Sequence, residues 1–178
     1  MSVFDPEEDL GQDLGFRLLR DTPVTLFYRR HVLEETLAWL AEHDYQVTVL
    51  DASSWSAEAD LYRDVAQALS FPDCFGRSLD ALNDCLRDVV DQDYGWNPQA
   101  TGLVLVFIGY DIFAAACPRP AQIVLDLVAQ HSHAAALFGR RMICVVQSND
   151  PLISFDGVGA DPVLWNDAER LNSSRLST

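Results

Sequence analysis

The chain has 178 residues, with 27 acidic side chains against 12 basic ones and a formal charge of −15. Apolar residues make up 49% of it, enough to fill the core of one domain. Small domains carry net charges of about 2–8 in magnitude, so this acidic excess excludes the basic footprint that nucleic acid or an anionic membrane requires and calls for a basic partner instead.

The longest apolar stretch lies within Leu103–Ile108, far short of the ~20 residues of a membrane span. No basic residue precedes Arg17, so the positive start of a secretory leader is missing and a cytoplasmic location is expected. Cys74, Cys85, Cys117 and Cys144 are scattered without framework spacing, and reduced thiols are expected.

In chain order, residues 1–15 are acidic and aperiodic, and read as a mobile arm or lid. Phe16–Leu19 and Val24–Tyr28 flank the turn-forming Asp21-Thr22-Pro23, so one or two strands fit there. Val32–Ala41 has helical spacing, and Gln46–Leu50 is short, β-branched and apolar, as a buried strand is. Ala57–Leu69 is helical again and ends at Phe71-Pro72. Gly76 is positioned to take a left-handed conformation in the loop, and Ser78 is a good N-cap for a helix over Leu79–Asp91. Leu103–Ile108 is a near-continuous apolar strand of the kind buried on both faces of a parallel sheet. A long helix over Ala121–Leu137 and a strand over Arg141–Gln147 follow, and signals in the last thirty residues are weak. The alternation predicts one α/β domain with a parallel sheet.

Catalytic chemistry is mostly absent. Gly157-Val158-Gly159 lacks the third glycine of a dinucleotide loop, there is no lysine for a P-loop, and there is no GxSxG. His131 and His133 are two residues apart, about 200° around a helix, and share a metal poorly; His31 and His43 fit surface or capping positions. No cofactor and no metal are expected, and binding is favoured over catalysis.

The informative stretch is Leu69–Leu86. On the helix after Gly76, Leu79, Leu82, Cys85, Leu86 and Val89 form an apolar face, and Asp80, Asp84, Asp88 and Asp91 recur at steps of four, four and three on the other. Side chains at such steps are neighbours, and like charges there repel by a few tenths of a kcal/mol each. Arg87 is the only base within the helix. Such a stripe is either a solvated face or a docking face; the first turn favours Asp80 through the helix dipole, but Asp84 and Asp88 have no such support.

The run Pro72-Asp73-Cys74-Phe75-Gly76-Arg77-Ser78-Leu79-Asp80-Ala81-Leu82-Asn83-Asp84-Cys85-Leu86 resembles the signature of the barstar family of ribonuclease inhibitors. That signature is a proline, two aromatics and a glycine, then Asn-Leu-Asp-Ala-Leu, one variable position and Asp-Cys-Leu. The likeness extends loosely over residues 46–147, leaving 1–45 as an extension that adds one or two strands and 148–178 as a tail. The resemblance implies a barstar-like parallel sheet packed with helices, and an intracellular immunity-type inhibitor rather than an enzyme. In the family, the motif loop and helix plug the basic active site of a small secreted ribonuclease, with two aspartates, here Asp80 and Asp84, in place of RNA phosphates. Cys74, Phe75, Gly76, Arg77, Asn83 and Asp88 are the accompanying candidate contacts. Barnase with barstar is itself a standard worked case of electrostatic steering, so its logic transfers to this chain and its magnitudes do not.

The departures bear on the partner. Cys74 stands where the family has its first loop aromatic, Ser78 where it has asparagine, and Asn83 where an aromatic is common. A further family glutamate on the later helix aligns near Gln130. Trp96 is either a replacement aromatic at the rim or a half-buried loop residue. Cys85 reads as core packing and Cys74 as accessible. The expected partner is a basic secreted ribonuclease or a similar basic toxin, met by a free monomer. The alternatives are a barstar-like module docking another basic protein, or a small α/β enzyme or ligand-binding domain.

Overall fold

The computed structural model describes residues 13–176. Most of the arm expected over 1–15 therefore lies outside the described residues, but its last part is folded. The Asp13 side chain accepts from the Gly15 N–H at 2.8 Å and caps helix α1, Leu14–Asp21. This corrects the strand expected over Phe16–Leu19. Leu18 and Leu19 pack against the core from a helix, because Asp13 supplies a cap that a strand reading ignored. Gly15 is required here: a Cβ would sit 2.1 Å from the Tyr45 hydroxyl.

Strand β1 is Val24–Phe27, α2 is Arg30–Glu42 and β2 is Tyr45–Asp51. A short 3-10 turn, Ala52–Ser54, leads to α3, Glu58–Ala68, and then α4, Leu79–Asp91. Strand β3 is Gly102–Ile108, α5 is Tyr110–Ala116, α6 is Pro118–Leu137 and β4 is Met142–Gln147. Helix α5 was not anticipated. Helix α6 starts three residues earlier than expected, because Pro118 and Pro120 occupy its first turn, where a missing N–H costs nothing.

The sheet is five-stranded and all parallel, in the order β2-β3-β4-β1-β5. The three strands expected over 46–50, 103–108 and 141–147 form one side of it. One strand comes from the N-terminal extension. The fifth, β5, is Leu164–Trp165, paired through Thr25 and Leu26 with β1. A two-residue strand has no readable period, so the sequence could not announce it. The segment after β5 continues through a 3-10 turn, Asp167–Glu169, into α7, Asn172–Leu176.

Alternation in β3 shows why its apolar run is unbroken. Leu103, Leu105 and Phe107 enter the larger core with residues of α3, α4, α5 and α6, while Val104, Val106 and Ile108 enter a second core with α1 and α2. Every β3 residue is buried. No helix among the described residues is long and apolar enough to cross a membrane.

Candidate partner-binding site

Helix α4 and the loop before it are held from three directions. Helix α3 ends with Ser70 in the left-handed region (φ 54°), the Phe71 N–H donating to the Ala66 carbonyl and the Ser70 N–H to the Gln67 carbonyl. This closure satisfies the last carbonyls of α3 and turns the chain back along it. Phe71 then meets Phe75 edge-on at 5.1 Å and Tyr94 at 5.8 Å, and Phe75 meets Tyr62 at 6.0 Å. Four rings thus fasten the 71–78 loop between α3 and the end of α4. Each edge-to-face pair is worth about 0.5–1.5 kcal/mol beyond its area.

The left-handed residue of this loop is Arg77 (φ 49°), not Gly76 as expected. Gly76 serves close packing instead: a Cβ there would meet the Ala81 Cβ at 3.3 Å. Ser78 caps α4 as expected, its Oγ accepting from the Ala81 N–H at 3.1 Å. Leu82, Cys85, Leu86, Val89 and Val90 are buried beneath α4.

The acidic stripe divides. Asp80 and Asp84 are exposed, one turn apart on the outer face. Among the described residues no cation pairs with Asp80, and Asp84 meets only Arg87 at 3.1 Å. That pair is more than 60% exposed on both sides, so it is worth no more than about 0.5 kcal/mol. Asp88 is half-buried and accepts a hydrogen bond from the Tyr94 hydroxyl at 3.0 Å. Burial, reinforced by Cys85 and the Asp88 carboxylate, raises the Tyr94 phenol well above its ordinary pKa. Asp88 is therefore already engaged.

Asn83 is engaged as well. Its Oδ1 lies 2.9 Å from Nε2 of His131 on α6, and His131 is buried. Burial lowers the His131 pKa, with Arg87 acting in the same sense and the Asn83 hydrogen bond and Asp91 against it. In the neutral Nε2–H tautomer, His131 donates to Asn83 and fixes the rotation of α4 against α6. Of the expected contact residues, Cys74, Gly76, Arg77, Asp80 and Asp84 are exposed, whereas Phe75, Asn83 and Asp88 are half-buried.

Trp96 is not a rim aromatic. It is 3% exposed, and its indole Nε1 is a buried donor without a partner among the described residues. Gln130 is exposed and donates to Asp126 at 2.7 Å, so no acid stands at that place. All four thiols are free; Cys74 is exposed and Cys85 buried, as expected. Sequence reasoning missed the supporting residues Tyr62, Phe71, Tyr94 and His131. A signal existed for the last: Val124, Val128, His131 and Ala135 share one helical face, and all are buried.

A family model described as Barstar (barnase inhibitor) matches residues 45–147, from β2 through β4, more than half the chain. The chain belongs to the barstar family. The matched span includes the 71–78 loop, α4 and His131. Among the described residues outside it, β1 and β5 extend the sheet beyond β4, α1 and α2 cover its second face, and Ile153, Phe155 and Val158 pack back onto the larger core. No curated protein matches the chain.

Proposed function

We propose that this barstar-family protein inhibits a basic ribonuclease of the barnase type, and that it does so by presenting Asp80 and Asp84 where RNA phosphates would bind. The observation that carries the reading is the contrast within one helix. The fold uses Asn83 and Asp88 for its own bonds and leaves Asp80 and Asp84 exposed on a helix fixed from both sides. A nuclease gathers Arg, Lys and His to hold phosphodiester, so two carboxylates one turn apart on a rigid support are a matched counter-shape. With a charge of −15, long-range attraction also raises the encounter rate with such a protein.

Inhibition, not catalysis, and a producer-protecting role in the cell that makes the nuclease follow from this reading, with a free monomer as the active species. The test is stopped-flow binding to a barnase-type ribonuclease with an RNA-cleavage assay alongside. Wild type binds and inhibits, Asp84→Ala loses both, and Asp91→Ala, at the far end of α4, retains both. Equal effects of the two substitutions would reduce the stripe to a solvated face. Binding to another basic toxin in preference to ribonuclease would support the broader interaction-module reading, to which the Cys74 and Asn83 departures point.

A further inference from the structure

A groove of about 270 Å3 runs between α3 and the 71–78 loop that leads into α4. Tyr62, Phe71 and Phe75 line it, and its charged lining residues are Arg63, Arg77 and the exposed Asp73. The two arginines differ. Arg63 is neutralised by Asp60 at 2.9 Å and Asp64 at 2.7 Å. Arg77 is exposed and, among the described residues, has no hydrogen bond or ion pair from its side chain, although the chain is crowded with carboxylates. Most arginines among the described residues are bonded; besides Arg77 the exceptions are Arg30 and Arg119, both away from this surface.

Arg77 also stands in the left-handed backbone region, at φ 49°, which glycine or asparagine occupies with less strain. A free guanidinium at the lip of an aromatic-lined groove, next to an otherwise acidic contact face, is a charge of the wrong sign for a uniformly basic partner. Discrimination between partners rests on such elements, because an unpaired charge penalises every competitor that lacks its complement.

We propose that Arg77, at the edge of this groove, is a second contact of the opposite sign, which receives an aspartate or glutamate side chain of the same partner that Asp80 and Asp84 engage. This rests on the inhibitor reading and adds to it the chemistry of the partner's surface: a basic active site flanked by one carboxylate. The guanidinium can hold that carboxylate in a two-point hydrogen bond, for which lysine is a poor substitute.

The experiment measures binding of the full chain to a barnase-type ribonuclease, with melting of the free protein as the control for folding. Asp84→Asn is run beside Arg77→Met, Arg77→Glu and Arg77→Gly. The expected result is at least tenfold weaker binding for Arg77→Met and Arg77→Gly and a larger loss for Arg77→Glu. Changing one ribonuclease carboxylate to lysine should then rescue Arg77→Glu. Arg77→Gly should melt at or above the wild-type temperature, since it relieves the left-handed backbone, which separates lost contact from lost fold. If Asp84→Asn weakens binding while Arg77→Glu binds as tightly as wild type or tighter, the Arg77 contact is wrong and the inhibitor reading stands. If wild type fails to bind, or Asp84→Asn binds unchanged, the inhibitor reading falls and the Arg77 contact with it.

Discussion

Two acidic places in this molecule use the same functional group in opposite ways. On α4, Asp80 and Asp84 face solvent and make at most one exposed ion pair. In the C-terminal segment, Glu169 is fully buried and bonds to the fold itself. Its Oε2 accepts from the Tyr28 N–H at 2.8 Å and from Asn166 Nδ2 at 2.6 Å, and its Oε1 accepts from the Arg29 N–H at 2.8 Å. It thereby satisfies donors at the start of α2, where an anion also suits the helix dipole. Nearby, buried Arg175 donates to the carbonyls of Pro151, Glu169 and Arg170 and stacks over Trp165 at 4.1 Å. The lesson is that an acid consumed by the fold serves stability, and only an acid the fold leaves unused can serve a partner.

That contrast can be broken most forcefully at Glu169. Glu169→Ala leaves the backbone N–H groups of Tyr28 and Arg29 without their acceptor and removes one of the two hydrogen bonds that the Asn166 amide donates, the other going to the Leu26 carbonyl. At about 1–3 kcal/mol per unsatisfied group, partly relieved by water, the expected loss is roughly 4 kcal/mol of stability by urea denaturation. A loss below about 1 kcal/mol would mean the C-terminal segment is not locked to α2 as described. At the other pole, Asp84→Ala should leave urea stability unchanged and cost about 2–5 kcal/mol of partner binding, the range for removing one member of a desolvated charge pair.

Asn83 lies between the poles, and Asn83→Ala sharpens the comparison. It strands the buried His131 donor, so it should cost about 1–3 kcal/mol in stability and, by loosening α4, a smaller amount in binding. Unchanged melting would show that α4 is positioned without His131.

The same pair gives a pH test. Burial sets the His131 pKa in the folded state below its ordinary value, so the unfolded chain takes up the proton first. Its contribution is full above the unfolded pKa of about 6.5 and is lost as pH falls from there toward the folded pKa. Melting temperature should therefore decline as pH falls below about 7, and His131→Gln should flatten that decline. An equally steep decline in the variant would assign it to other groups. The smallest effect belongs to Arg87→Ala: it removes the exposed pair with Asp84, should shift stability by less than about 0.5 kcal/mol, and should speed association by unmasking Asp84. Slower association would place Arg87 among the contacts instead.

Much of this is legible along the chain. Continuous apolar runs announce β3 and β4 because a parallel strand buried on two faces needs no alternation. Helix α4 is legible end to end, since Ser78 is a strong cap and its apolar residues recur with helical period. The shared face of the acidic pair follows from that period alone. The strand expected at Phe16–Leu19 failed because four residues are too few to distinguish periods, and the deciding cap, Asp13, lay within what read as an arm. Propensity assigns the left-handed residue to Gly76, but the ring cluster under Phe75 and the close approach of Ala81 place it at Arg77.

Composition and periodicity, which act over short distances along the chain, determined the fold class, the β2-β3-β4 side of the sheet and which aspartates share a face. Only the tertiary structure decided which of those aspartates remain available. Tyr94 reaches Asp88 from the turn after α4, His131 reaches Asn83 from α6, and Glu169 reaches α2 from 140 residues away in sequence. The hydrogen-bonding capacity of a side chain is fixed by its own residue type, but whether it is already filled depends on partners that local sequence does not specify.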